Sequence, residues 1–135
     1  MSPELELQGA IVARLKADAG FQLAAGGRIY DEPPDNAVFP YATIGEAQFV
    51  RDDATCVSGG DVFLTMHAWS RAVGYPEVRR VADTISEALH LAPLTLPTNH
   101  LVSLLHRTTR AFRDPDGKTS HAVINLVASV HKPIA

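Results

Sequence analysis

Residues 61–91 constrain the fold more than any other stretch, because they carry a strand signature, a breaker and a helix signature in unbroken succession. In the first part Val62, Leu64, Met66 and Ala68 are apolar, while Phe63, Thr65, His67 and Trp69 mix aromatic with polar groups. That period of two predicts a strand with one core face and one semi-polar face. Arg71-Ala72-Val73-Gly74 breaks the pattern, and Tyr75-Pro76 places a proline where a first helical turn tolerates its missing N–H. Val78, Val81, Ala82, Ile85 and Leu89 then form a single helical stripe, with Glu77, Arg79, Arg80, Asp83 and Glu87 on the wet side. The stripe is buried most simply against the apolar face of the preceding strand.

The segments on either side extend this unit. Ser2 as N-cap and Pro3 at the first position predict an N-terminal helix, with Glu4 and Glu6 near the positive end of its dipole. Leu7, Ala10, Ile11 and Leu15 make its stripe, and Gly9 marks either close packing or a tolerated flaw costing about 1 kcal/mol. Residues 21–25 add one further turn before Gly26-Gly27, residues 28–31 read as a short strand, and residues 32–36 as a surface turn. A second strand is expected over 41–49, with Gly45 as a bulge, and then a long polar loop over 50–60. Residues 101–113 and 118–131 form a hairpin, whose Asp114-Pro115-Asp116-Gly117 suits a type I turn followed by a left-handed glycine. The expected fold is therefore α+β: one domain over 1–135, a mainly antiparallel sheet of four or five strands, and two helices on one face.

Composition narrows the function. With 46% hydrophobic and 20% charged residues the chain is expected to be globular, with no run long enough to span a membrane. The acidic start predicts no signal peptide and a cytoplasmic origin. A net charge of −3 argues against binding driven by phosphate neutralisation. Cys56 is the only cysteine, which excludes an internal disulfide and reads as an incidental thiol in a polar loop.

The residues that carry chemistry elsewhere do not assemble into a motif. The six histidines His67, His90, His100, His106, His121 and His131 lack any compact ligand spacing, although His67 and His121 could meet across adjacent strands. Asp114-x-Asp116-Gly117 lacks the later ligands of a calcium loop, and the Gly-rich pairs precede no phosphate-binding helix. No catalytic, cofactor or metal site is expected. His67 and Trp69, on the semi-polar face, either line a pocket or lie under a neighbouring chain.

The order of features resembles a known family. An N-terminal helix ending in Ala19-Gly20-Phe21, then Gly27-Arg28-Ile29-Tyr30-Asp31, and Phe39-Pro40-Tyr41-Ala42-Thr43-Ile44-Gly45 resemble the small tail-completion, or tail terminator, proteins of long-tailed phages, prophages and gene transfer agents. His67-Ala68-Trp69-Ser70, Ala88-Leu89-His90 and Arg113-Asp114-Pro115-Asp116-Gly117-Lys118-Thr119 continue the resemblance over nearly the whole chain. It implies a structural, non-enzymatic protein of a phage-like particle. Such a protein forms a ring, typically a hexamer, that caps the tail tube, binds the tube protein and the head-to-tail connector, and lets DNA pass unread. Assembly would take place in the bacterial cytoplasm, and the finished protein would sit in the tail. The excess length of the loop over 50–60 and of the hairpin over 101–131 points to Arg51, Asp52, Asp53, Arg113, Asp114, Asp116 and Lys118 as subunit and tube contacts. Two alternatives stay open: an adaptor or stopper at the connector, and a small ligand-binding or enzymatic domain with a pocket near His67 and Trp69.

Overall fold

A computed structural model describes residues 2–53 and 58–132; Cys56 lies outside the described residues. The chain forms α1 (Pro3–Ala17), α2 (Ala19–Ala25), β1 (Ile29–Tyr30), β2 (Tyr41–Arg51), β3 (Gly59–Ser70), α3 (Pro76–Leu89), β4 (His100–Arg113) and β5 (Ser120–His131). The fold is α+β, as expected, with a five-stranded sheet in the order β1-β2-β3-β5-β4. Three of its pairings are antiparallel and β1 alone runs parallel to its neighbour β2.

Local chemistry sets the helix ends. Ser2 caps α1 by accepting from the Leu5 N–H at 3.3 Å, with Pro3 following it. Asp18 closes α1 and caps α2 by accepting from the Phe21 N–H at 2.9 Å, which makes the extra turn over 21–25 a short helix of its own. Among the described residues there are thus three helices where two and a turn were expected. Gly26 ends α2 with φ 61°, the left-handed geometry that favours glycine. At Gly9 an added Cβ would meet nothing within 4 Å, so that glycine is a tolerated flaw and not a packing requirement.

Along β3, every even residue from Gly60 to Ser70 is buried, and the odd ones from Asp61 to Trp69 are not. Its inner face, with Ile124, Leu126 and Ala128 of β5, meets Val78, Val81, Ile85 and Leu89 of α3 and Leu7, Ile11 and Leu15 of α1, all buried. α3 crosses β3, β5 and β4, which is how it reaches from the end of β3 to the far edge. The long loop expected over 50–60 is shorter, because Val50 pairs with Asp61, Arg51 with Gly60, and the Asp52 N–H with the Gly59 carbonyl. Hidden strand propensity explains the difference: Val50 continues the ladder although charged residues follow it.

Glu6 departs most from its sequence reading. It is 5% exposed, and its carboxylate accepts from the Thr98 N–H at 3.1 Å, the Thr98 hydroxyl, the Asn99 N–H at 3.0 Å and the Asn99 side-chain amide at 3.0 Å. Instead of serving only the helix dipole, it ties α1 to the segment that leads into β4. Burial pushes its pKa up, but these hydrogen bonds outweigh burial and hold it at about 2. Because the folded value lies below the ordinary 4.5, this stabilisation is complete above that pH and is lost as pH falls towards 2. The melting-temperature difference between the wild type and Glu6→Gln should therefore shrink across that window in a thermal-melt series; a constant difference would contradict the assignment. In the core, Ile85→Ala should lower stability by about 2–5 kcal/mol in denaturant melts.

Candidate assembly surfaces

Among the described residues no helix packs on the outer face of the sheet. Phe63, Thr65, His67 and Trp69 of β3 and Asn125 of β5 point away from the core, with Phe63 44% exposed. A polar ladder crosses three strands: Thr65 donates to the Asn125 carbonyl at 3.0 Å, and the Asn125 amide donates to Thr108 at 2.8 Å. Towards the β4–β5 turn the face becomes aromatic. Trp69 stacks on His121 with ring centres 3.8 Å apart and donates to the Thr43 hydroxyl at 3.2 Å. Phe112 lies 4.8 Å from His121, Tyr41 lies 6.4 Å from Trp69, and the Arg71 guanidinium caps Phe39 at 4.4 Å.

His67 and His121 do meet, with Nδ1 of His67 2.7 Å from Nε2 of His121. His121 Nδ1 faces the Asp114 carboxylate at 3.2 Å. A carboxylate only accepts, so Nδ1 of His121 carries the proton, its Nε2 accepts, and His67 Nδ1 donates to it. Burial first and the neighbouring His121 second lower the His67 pKa, against a smaller opposing pull from Glu46. Burial also lowers that of His121, opposed by Asp114 and assisted by Arg110. Both rings are therefore neutral at neutral pH, a state suited to stacking. Gly45 lies against this pair, in the register shift between Ile44 and Ala47 where a bulge was expected. A Cβ there would fall 2.5 Å from the Thr65 carbonyl oxygen and 2.8 Å from His67 Nε2.

The stacked rings fill one another's space, so this cluster is a packed surface. A cavity of about 350 Å³ opens elsewhere, near Phe49, Arg51, Gly59 and His131. Among the described residues no group of three or more His, Cys, Asp and Glu side chains is placed to hold a metal ion. No helix among them is long and apolar enough to cross a membrane.

The charged residues singled out in the sequence fall into two groups that the structure does not bring together. Arg51, Asp52 and Asp53 lie at the β2–β3 end, while Arg113, Asp114, Asp116 and Lys118 lie at the β4–β5 turn. Ser70 pairs with Ser120 at one end of β3 and Gly59 with His131 at the other, so the groups are separated by the length of that strand, roughly 36 Å. Several of these side chains have internal work. Asp53 accepts from the Gly59 N–H at 3.1 Å and the Ser58 hydroxyl at 3.2 Å, and pairs with Arg51 at 3.5 Å. Asp116 accepts from the N–H groups of Lys118 and Thr119, each at 2.9 Å, and from the Thr119 hydroxyl, which hold its pKa at about 2. Asp114 orients His121, and the Arg113 guanidinium lies over the Tyr75 ring at 5.8 Å. Lys118 is exposed.

These features define a small α+β domain with one covered sheet face, one bare one, and charged strand ends. Partly aromatic sheet faces of this kind suit macromolecular contact better than small-molecule capture. The chain belongs to the family of tail completion protein gp17, whose sequence model matches residues 9–131. Membership makes its role structural, that of a terminator in the tail of a phage or phage-like particle. The fold is similar to that of a chain in the virion of a native gene transfer agent particle. The TM-score is 0.88 at 23% identity, over 95% of this chain and 96% of that one. It is also similar to bacteriophage SPP1 gp17 protein, with a TM-score of 0.60 at 20% identity over 93% and 88% of the two chains. There is no significant match among curated proteins.

Two outcomes test this surface. In an NMR titration both histidines should titrate below the ordinary 6.5, and stability should decline as pH falls below that value, since the unfolded chain then binds more protons; midpoints at or above it would contradict the packed neutral pair. Gly45→Ala should destabilise by about 1–3 kcal/mol in denaturant melts, because backbone cannot yield as a side chain does.

Proposed function

We propose that the protein forms a ring, hexameric in the form expected of this family, that caps the head-proximal end of the tail tube and offers its other surface to the head-to-tail connector. The family match over residues 9–131 carries this reading. The opposed strand ends support it: with the strands running along the ring axis, Arg51, Asp52 and Asp53 at the end of β2 and the 114–119 turn lie on opposite axial surfaces. Arg51, Asp52 and Asp53 contact one axial partner and Arg113, Asp114, Asp116 and Lys118 the other. DNA passes through the ring without being read, and the net charge of −3 suits passage better than retention. The protein has no catalytic role; it is assembled in the bacterial cytoplasm and ends in the tail.

Light scattering after gel filtration, with and without tail-tube protein, measures the central expectation: a ring mass, free or appearing when tube ends are supplied. A monomer or dimer that ignores the tube would overturn the reading, and binding to connector but not to tube would replace it with a connector adaptor. Replacing residues 52–58 by an Asn-Gly turn, which keeps the hairpin closed, should reduce binding to one axial partner by roughly tenfold or more while leaving the melting temperature nearly unchanged.

A further inference from the structure

The two edges of the sheet are unlike. One is β4, fourteen residues long, whose outer half carries Arg107, Arg110 and Arg113, all exposed. The other is the two-residue β1, which runs directly into Asp31, Glu32 and Asp35, also exposed. Among the described residues neither Arg107 nor Arg110 is in an ion pair, and neither are Asp31, Glu32 and Asp35. Among the described residues the two sets of charges thus lie at opposite edges of the sheet and form no ion pair with one another.

They also share one row of the sheet ladder. Tyr30 pairs with Thr43, Thr43 with His67, His67 with Val123, and Val123 with Arg110. One step further, Ile44 pairs with Met66, Met66 with Ile124, and Ile124 with Thr109. Asp31 and Glu32 therefore leave β1 at the level of Thr109 and Thr108, between Arg110 and Arg107. A ring whose axis crosses this row of paired residues brings the two levels together in neighbouring copies.

We propose that the β4 edge of one copy, through Arg107 and Arg110, docks against Asp31, Glu32 and Asp35 of the next copy, forming the head-to-tail lateral contact of the ring. The occupant of each edge is a second copy of this chain. Pairing of two β4 edges would set arginine against arginine, so a symmetric dimer through that edge is disfavoured. A register shift between His106 and Thr108 interrupts the β4 ladder and puts Arg107 at the extra position, which suits side-chain contact better than a continuous sheet. The inference rests on the ring reading and assigns its lateral surface, distinct from the axial ends.

The test is charge reversal with rescue, using the full chain with tail-tube protein present, read by sedimentation velocity and negative-stain imaging. Arg107→Glu with Arg110→Glu, and separately Asp31→Arg with Glu32→Arg, should each weaken ring formation by roughly tenfold or more, and the wild-type ring should loosen as salt rises. Mixing the two variants, or joining all four substitutions in one chain, should restore rings, which a folding defect would not allow. Full assembly of either variant, or loss that neither combination rescues, would overturn the contact while leaving the ring intact. So would intact rings with weakened retention of duplex DNA in the arginine variant, which would assign the arginines to phosphates. A wild type that stays monomeric with the tube would overturn both the ring and the contact.

Discussion

The alternation of β3 between core and open face is the constraint on which the rest depends. Lying third in the sheet, β3 holds β2 on one side and β5 on the other, and its even residues form the floor under α1 and α3. Once Val62, Leu64, Met66 and Ala68 face inward, Phe63, Thr65, His67 and Trp69 must face outward. A slip of one residue would bury His67 and Trp69 under the helices and expose the apolar set, so the register is fixed by burial. The covered face supplies stability and the bare face supplies surface.

The bare face is organised by hydrogen bonding as much as by apolar contact. The turn residue Asp116 gathers the backbone of Lys118 and Thr119, and Asp114 beside it orients His121. His121 in turn accepts from His67 and stacks on Trp69, whose indole N–H reaches Thr43 on β2. A chain of contacts thus runs from the hairpin turn across β5, β3 and β2, and the bulge at Gly45 leaves space for it. The turn at one end of the sheet and the aromatic surface are one unit, so changes in the turn reach the face.

Much of this was legible from residue order. Periods of two and 3.6 located β3 and α3, Ser2-Pro3 located the start of α1, and Asp-Pro-Asp-Gly located the β4–β5 turn. The meeting of His67 with His121 was legible as an option, because both fall on the polar phase of long strands. What stayed hidden depends on the strand order, which no local pattern encodes. Glu6 read as a helix-start acid because Thr98 and Asn99 lie far along the chain, and only the tertiary fold makes them its partners. The parallel pairing of β1 was invisible in two residues. The sorting of Arg107 and Arg110 from Asp31 and Glu32 could not be read before β1 and β4 were known to be the edges. Arg51 to Asp53 and Arg113 to Lys118 looked like one kind of surface in the sequence, and the antiparallel register separated them.

Family membership makes the protein a tail terminator, and the opposed strand ends suit the axial contacts proposed for it. The most direct test of that claim is the distribution of tail lengths, measured by electron microscopy of particles made with and without this chain. Uniform tails joined to heads in its presence, and overlong or ragged tubes separated from heads in its absence, are what the account predicts. Tails of unchanged length, still joined to heads without the chain, would contradict it.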